Sequence, residues 1–261
     1  MTGSHRADVH GLLVDRRSPV RALSAEAELV GLVLFVVLVA LTPRRAVGAF
    51  VVDGAVVVAV LVLARLPART VAARLAVIGP FVLGAFAIPL VAHTPPGSEV
   101  VDLAGRQVSV DALWATWNIV AKATLGAAAA IVVTATTPIP ELLAAMARLR
   151  VPAVLVAVVS SMLRYMDTLT DQLGRMRRAM TARGHDPRWL WQVGPIASSV
   201  GVLFVRSYER GERVHLAMAA RGSTGRPLPD ETPGATPSEW SAALLPAAVA
   251  LAGLATWWLL R

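Results

Sequence analysis

The sequence predicts an all-α membrane protein that crosses the bilayer about five times and carries a helical cytoplasmic region. Its 261 residues are 56% hydrophobic and 16% charged, whereas a typical soluble domain has about 25% charged residues. The apolar residues form several runs close to the length of about 20 residues that a helix needs to cross a bilayer core. Between residues 137 and 239 the runs give way to apolar residues at helical spacing with charged residues between them, which is typical of amphipathic helices.

The first part of the chain, residues 1–25, is predicted to be a cytoplasmic tail, because it holds four arginines and no apolar run of the kind found in a signal peptide. Residues 26–135 contain the first four predicted spans, and residues 241–261 contain the last. The five spans are predicted at Glu26–Thr42, Ala46–Ala64, Val71–Ala92, Asp111–Thr134 and Ser241–Leu260. Pro80 and Pro89 lie within the third span, where we expect kinks.

The distribution of arginine predicts the orientation in the cell membrane. The segments 65–74 and 148–226 are basic, and the polar loop 93–110 is acidic. Since loops that stay in the cytoplasm are rich in Lys and Arg, we expect the N-terminus inside and the acidic loop outside. Arg44 and Arg45 then fall on the outer side, and nothing in the sequence explains this exception.

Residues 136–222 form the predicted cytoplasmic region, which begins with a short amphipathic helix and continues as two long helices. The first long helix starts after Pro152 in the membrane and is expected to emerge from it. It carries an apolar stripe at alternating steps of four and three residues, made of Leu155, Val159, Met162, Met166, Leu169, Leu173, Met176 and Met180. Such spacing predicts a packed side, opposite a charged side on which Asp171 and Arg175 are placed to pair.

The second long helix runs from about Gly194 to Arg221 and carries a further predicted i,i+4 ion pair, Glu209 with Arg213. Residues 223–240 are rich in Gly, Pro, Ser and Thr and are predicted to be a flexible linker to the last span.

Both long helices end in the same Ala-Arg-Gly pattern, at residues 182–184 and 220–222. Glycine after the last turn predicts a left-handed C-terminal cap, and the helix dipole favours arginine beside it. Each tip therefore offers a guanidinium that can bind carboxylate or carbonyl oxygens of a partner. Arg-Gly at one helix end is common, but its repetition favours docking to a paired partner.

These paired ends, the run Arg206–Arg213 and the run Thr136–Leu143 resemble the T component of energy-coupling factor (ECF) transporters, the EcfT/CbiQ family, in its cobalt-type branch. The segments Asn118–Gly126 and Asp15–Pro19 are similar but less specific. The resemblance spans nearly the whole chain and is sharpest in the cytoplasmic region.

The resemblance implies three coupling helices, two of them long and crossed, whose tips dock onto two ATP-binding cassette ATPase subunits. It also implies a membrane-embedded substrate-binding subunit as partner, no cofactor, and uptake of cobalt; nickel or a vitamin remains an open alternative. By position, the docking motifs would be Ala182, Arg183, Gly184, Ala220, Arg221 and Gly222.

Other kinds of site receive little support from the sequence. The only lysine, Lys122, lacks the glycine-rich loop of a P-loop ATPase. No cysteine is present, and the five histidines have no metal-ligand spacing. No basic-aromatic platform for nucleic acid accompanies the net charge of +8.

Two charged residues fall near the middle of predicted spans, Asp53 and Lys122. Because charges inside a membrane are costly, one hypothesis is that they contact each other as a pair. The alternative is that each separately faces a polar pocket or extends its charge to the membrane surface. A membrane enzyme such as a lipid transferase would need clustered aspartates or histidines, and only Asp167 and Asp171 lie close together. A membrane scaffold without a transport role is the remaining alternative.

Overall fold

A computed structural model describes residues 23–91, 100–103, 106–184, 194–223 and 234–259 of the chain. Residues 1–22 of the predicted tail 1–25 and most of the predicted linker 223–240 lie outside these residues. The α-helices, in chain order, are α1 (Ala25–Leu41), α2 (Val47–Leu63), α3 (Ala68–Leu75), α4 (Gly79–Val91), α5 (Val110–Thr136), α6 (Ile139–Arg148), α7 (Ala153–Ala182), α8 (Gly194–Ala220) and α9 (Pro237–Leu259). The predicted all-α membrane fold is confirmed.

The chain divides into two compact units. Residues 10–145 and 232–261 form one of them, which contains α1 to α5 and α9 and is called the bundle unit below. Residues 1–9 and 146–231 form the other, which contains α7 and α8 and is called the two-helix unit. Helix α6 passes from the first to the second.

Four helical segments are long and apolar enough to cross a membrane: residues 68–89, α5, α7 and α9. Three of them correspond to predicted spans, and α7 is the helix that was expected to begin in the membrane. The first two predicted spans correspond to α1 and α2, which have 17 residues each. Helices of this length are at the lower limit for crossing a bilayer, about 17–25 residues.

The expected irregularity in the third span is present. A 3-10 turn at Ala76–Ile78 separates α3 from α4 directly before Pro80, and Pro89 stays inside α4. Pro80 has no N–H to donate to the carbonyl of residue 76, so a regular α-helix loses a hydrogen bond at this point.

The acidic loop contains a short antiparallel hairpin that the sequence analysis did not predict. Its strands are β1 (Val100–Leu103) and β2 (Arg106–Ser109), with Val100 opposite Ser109. The strands lead directly into α5.

Small residues allow the helices of the bundle unit to approach closely. At Gly31 a Cβ would overlap the carbonyl oxygen of Ala243, so α1 and α9 are nearly in backbone contact. Small residues at helix contacts are how membrane helices gain van der Waals packing without a hydrophobic driving force. The buried core consists of Phe35, Val39, Phe50, Val57, Ala121, Ala128, Ala129, Ala247 and Ala250.

An ion pair joins the turn after α1 to the start of α5. Arg44 Nη2 lies 2.9 Å from Asp111 Oδ1. The pair neutralises Arg44, which gives a physical reason for an arginine on the side where the sequence analysis expected few. It also places the turn 42–46 and the beginning of α5 at the same end of the bundle unit.

Candidate docking site

Helices α7 and α8 dominate the two-helix unit, with 30 and 27 residues. They contact each other, and Ser199 Oγ near the start of α8 lies 3.5 Å from Met180 Sδ near the end of α7. Each helix then continues to its own C-terminal tip.

The tip of α7 has the predicted left-handed cap. Gly184 has φ 80°, and its N–H donates to the carbonyl of Thr181 at 2.9 Å. Arg183 directly before it is the C-cap residue, and its N–H donates to Met180 at 3.0 Å. The cap therefore fixes the backbone of Arg183 at the very end of a long helix.

The tip of α8 repeats this geometry. Gly222 has φ 76° and donates to the carbonyl of Ala219 at 3.0 Å, while Ser223 donates to Met218 at 3.0 Å. This is the two-bond Schellman pattern, in which glycine avoids the steric clash of a Cβ. The left-handed caps predicted from the sequence are confirmed at both tips.

The side chains of Arg183 and Arg221 are exposed, and neither forms an ion pair with another described residue. A helix C-terminus also carries partial negative charge, which favours a guanidinium at this position. Each tip therefore combines a fixed backbone with a free cation, an arrangement that can bind a carboxylate or a group of carbonyl oxygens.

Only half of the predicted packed side of α7 is packed within the chain. Leu169, Leu173, Met176 and Met180 are half-buried, whereas the part nearer the start of the helix is exposed. That exposed part is Leu155, Val159, Met162 and Met166, and α8 adds Val200, Val202, Phe204, Val205 and Tyr208. An exposed apolar surface of this kind marks a contact with lipid or with another protein.

One of the two predicted ion pairs on these helices is present. Arg213 Nη1 lies 3.8 Å from Glu209 Oε2, and both side chains are exposed. Asp171 and Arg175 are not paired among the described residues, which is common for exposed charges because holding two long side chains together costs entropy.

Asp53 and Lys122 are not brought together, which corrects the prediction of a contact between them. Lys122 Nζ instead donates to the carbonyl of Ala40 at 2.7 Å. That carbonyl is in the last turn of α1, where carbonyls have no partner within the helix. Asp53 is 1% exposed, and its Oδ2 has no hydrogen-bond partner within the described ranges.

Two buried glutamates at the start of α1 were missed. Glu28 accepts a hydrogen bond from Thr136 at 2.6 Å and another from Thr137, and Glu26 accepts one from the backbone N–H of Ala235. The sequence contained a signal, since two acidic residues open an otherwise apolar run, but it could not show their partners. Glu28 also lines an otherwise apolar cavity of 380 Å³ between α1, α2, α5 and α9.

Two arginines with left-handed backbone were also missed. Arg65 (φ 53°) follows α2 and Arg150 (φ 63°) follows α6, and both are exposed. Each takes the position after a helix that usually belongs to glycine. No sequence signal identifies a non-glycine residue in this conformation.

Within the described residues, no group of three His, Asp or Glu side chains is placed to hold a metal ion. Of the five histidines, His215 alone lies in that part of the chain.

Comparison with protein families identifies a relationship over most of the chain. Residues 16–231 match the family CbiQ, described as a cobalt transport protein. The matched residues include α1 to α8 and both Ala-Arg-Gly tips, and they end before α9. No curated protein matches the chain.

Proposed function

Because the chain belongs to the CbiQ family of cobalt transport proteins, and is thus a membrane component of a transporter, we propose that it is the non-catalytic coupling subunit of an ECF-type uptake transporter. The paired arginine tips of α7 and α8 carry this proposal. In this role the chain sits in the cell membrane with its N-terminus in the cytoplasm, and it transmits ATP-driven movement to a substrate-binding membrane subunit.

The tips support docking to two ATPase subunits. Two copies of one local structure, each an exposed arginine before a left-handed glycine, suit two equivalent acceptor grooves on a symmetric partner. The planar guanidinium of Arg183 or Arg221 binds oxygens in a fixed geometry that lysine does not provide. Long helices suit the transmission of movement because they are stiff over their length.

The exposed apolar parts of α7 and α8 support contact with the membrane subunit. Leu155 and Met162 are 56% and 57% exposed in the chain alone. An apolar partner that covers these side chains would remove their surface from water, which is favourable. Cobalt is the cargo that the family favours, and we place its ligands on the partner subunit.

Charge reversal at the tips tests the docking role. We expect Arg183→Glu combined with Arg221→Glu to lower recovery of the ATPase subunits in co-purification by at least about tenfold, because like charges facing a partner's acceptor groups cost several kcal/mol. Arg177→Glu combined with Arg206→Glu is the matched control, since both arginines are exposed on the same two helices away from the tips. If both double variants recover the ATPase subunits at the wild-type level, docking through the tips is excluded.

A further inference from the structure

Buried polar contacts at the start of α1 join three separate parts of the chain. Glu28 and Glu26 are each 7% exposed, although carboxylates are rarely buried without a structural or functional reason. Glu28 binds the hydroxyl groups at the end of α5, and Glu26 binds the backbone before α9. We call these five residues the anchor: Glu26, Glu28, Thr136, Thr137 and Ala235.

The anchor residues are close in sequence to both connections that flank α7 and α8. The first connection leaves the bundle unit between Ala145 and Met146, in the helix that begins two residues after Thr137. The second returns to the bundle unit shortly before Ala235 in the sequence. One turn of α1 therefore contacts the end of α5, which precedes the coupling helices in the chain, and Ala235, which follows them.

The contacts of Glu28 are made with two hydroxyl groups. Both oxygens of its carboxyl group lie within hydrogen-bond distance of a threonine hydroxyl, so neither is left buried without a partner. Thr136 and Thr137 are themselves buried, at 4% and 5% exposure. Thr136 Oγ1 also lies 2.9 Å from the carbonyl oxygen of Val132, so its single hydroxyl hydrogen is shared between that carbonyl and Glu28. Proline follows at position 138 and ends the helix.

We propose that Glu26 and Glu28 are positioning residues. They fix, within the bundle unit, the two segments that lead to α7 and α8, so that movement of these helices acts on the transporter and does not displace the segments that carry them. The proposal rests on the proposed coupling function. A helix that moves under load needs a fixed attachment, and in the described part of the bundle unit the anchor holds both segments that lead to it.

Uptake per ATP hydrolysed is the measurement that tests the anchor. The complete transporter, reconstituted in proteoliposomes, is supplied with Co²⁺, and both Co²⁺ uptake and ATP hydrolysis are measured. We expect Glu28→Gln to lower uptake per ATP by about fivefold or more, the smaller end of common coupling effects. Recovery of the ATPase subunits should remain at the wild-type level, because the tips are unchanged.

Threonine variants keep the test decisive if Glu28→Gln does not fold. Thr137→Val removes a hydroxyl from the anchor, and Thr137→Ser restores it. Thr134→Val is the matched control, because Thr134 is exposed on the same helix and donates only to Ala130 and Ile131 of that helix. Of the three threonine variants, only Thr137→Val should lower uptake per ATP. Thr137→Ser and the control Thr134→Val should keep the wild-type value.

Two results would overturn the proposal. One is wild-type uptake per ATP in both Glu28→Gln and Thr137→Val. The other is a fall in uptake that is fully explained by a smaller amount of folded protein. A purely structural role of the anchor would lower the amount of folded protein and the uptake in proportion. Failure of the coupling function itself is seen separately, as ATPase recovery that does not depend on Arg183 and Arg221.

Discussion

The bundle unit and the two-helix unit contain similar apolar side chains but use them differently. In α1, Phe35 and Val39 are 3% and 2% exposed, whereas Leu155 and Met162 of α7 are more than half exposed. The bundle unit covers a core with its own helices, although it also exposes large apolar side chains such as Phe81 and Leu83. Among the described apolar side chains of α7 and α8, Val156 alone is buried. The two-helix unit leaves part of its apolar surface for molecules that are not part of the chain.

The charged side chains singled out above also differ between the two units. The bundle unit buries Glu28 with two hydroxyl donors, and the two-helix unit exposes Arg183 and Arg221 without a partner among the described residues. A buried, paired carboxylate fixes structure, whereas an exposed cation at a helix tip is available for binding. The difference suggests that the bundle unit is held by a core of its own and that the tips of the two-helix unit are available to a partner.

The largest effect should follow from crowding the bundle unit at its closest helix contact. Gly31→Ala places a methyl group against the carbonyl of Ala243, and overpacking of this kind costs about 1–3 kcal/mol. We expect a clear fall in the melting temperature of the purified chain in detergent. Gly253→Ala is the control, since its Cβ would lie 3.5 Å from Ala49 Cβ, an ordinary contact. Equal melting temperatures for the two variants would contradict the close packing of α1 and α9.

A change of intermediate size should follow from removing backbone strain, and it should raise the stability of the chain. Arg150→Gly relieves a left-handed residue, which costs about 1–2 kcal/mol, and should stabilise the two-helix unit by about 1 kcal/mol. Gly184→Ala introduces the same strain at φ 80° and should destabilise that unit by a similar amount. Chemical denaturation followed by circular dichroism measures both changes. Destabilisation by Arg150→Gly would mean that its side chain makes a contact worth more than the strain.

The smallest effect on the isolated chain should come from the exposed apolar stripe. Leu155→Gln combined with Met162→Gln should change the free energy of unfolding in detergent by no more than about 0.5 kcal/mol, since exposed substitutions rarely do more. The same variant should reduce co-purification of the membrane subunit, while the ATPase subunits are retained. A large loss of stability in the chain alone would show that this surface is packed by the chain itself, and the contrast between the two units would fail.

Features that depend on short stretches of chain could be predicted from the sequence. The apolar runs of α5 and α9, the break before Pro80 and both left-handed glycines follow from neighbouring residues alone. The ion pair Glu209–Arg213 joins residues four apart on one helix and was also predictable. Helical periodicity and capping act within a few residues, so a sequence shows them directly.

Contacts between distant residues could not be predicted in the same way. Lys122 reaches Ala40, 82 residues away, and not Asp53, because the choice of partner depends on how α1, α2 and α5 pack. The ion pair of Arg44 with Asp111 gives a partner to one of the two arginines whose position the sequence left without a cause.

The sequence by itself determined that the chain is a helical membrane protein with two arginine-tipped helices, because bilayer length, apolar periodicity and glycine caps are local properties. Only the tertiary structure decided which polar groups meet. Glu28 and Thr136 are 108 residues apart, and their contact exists because α1 and α5 pack side by side and exclude other partners. Pairing inside a membrane protein is decided by helix packing, which no single segment encodes.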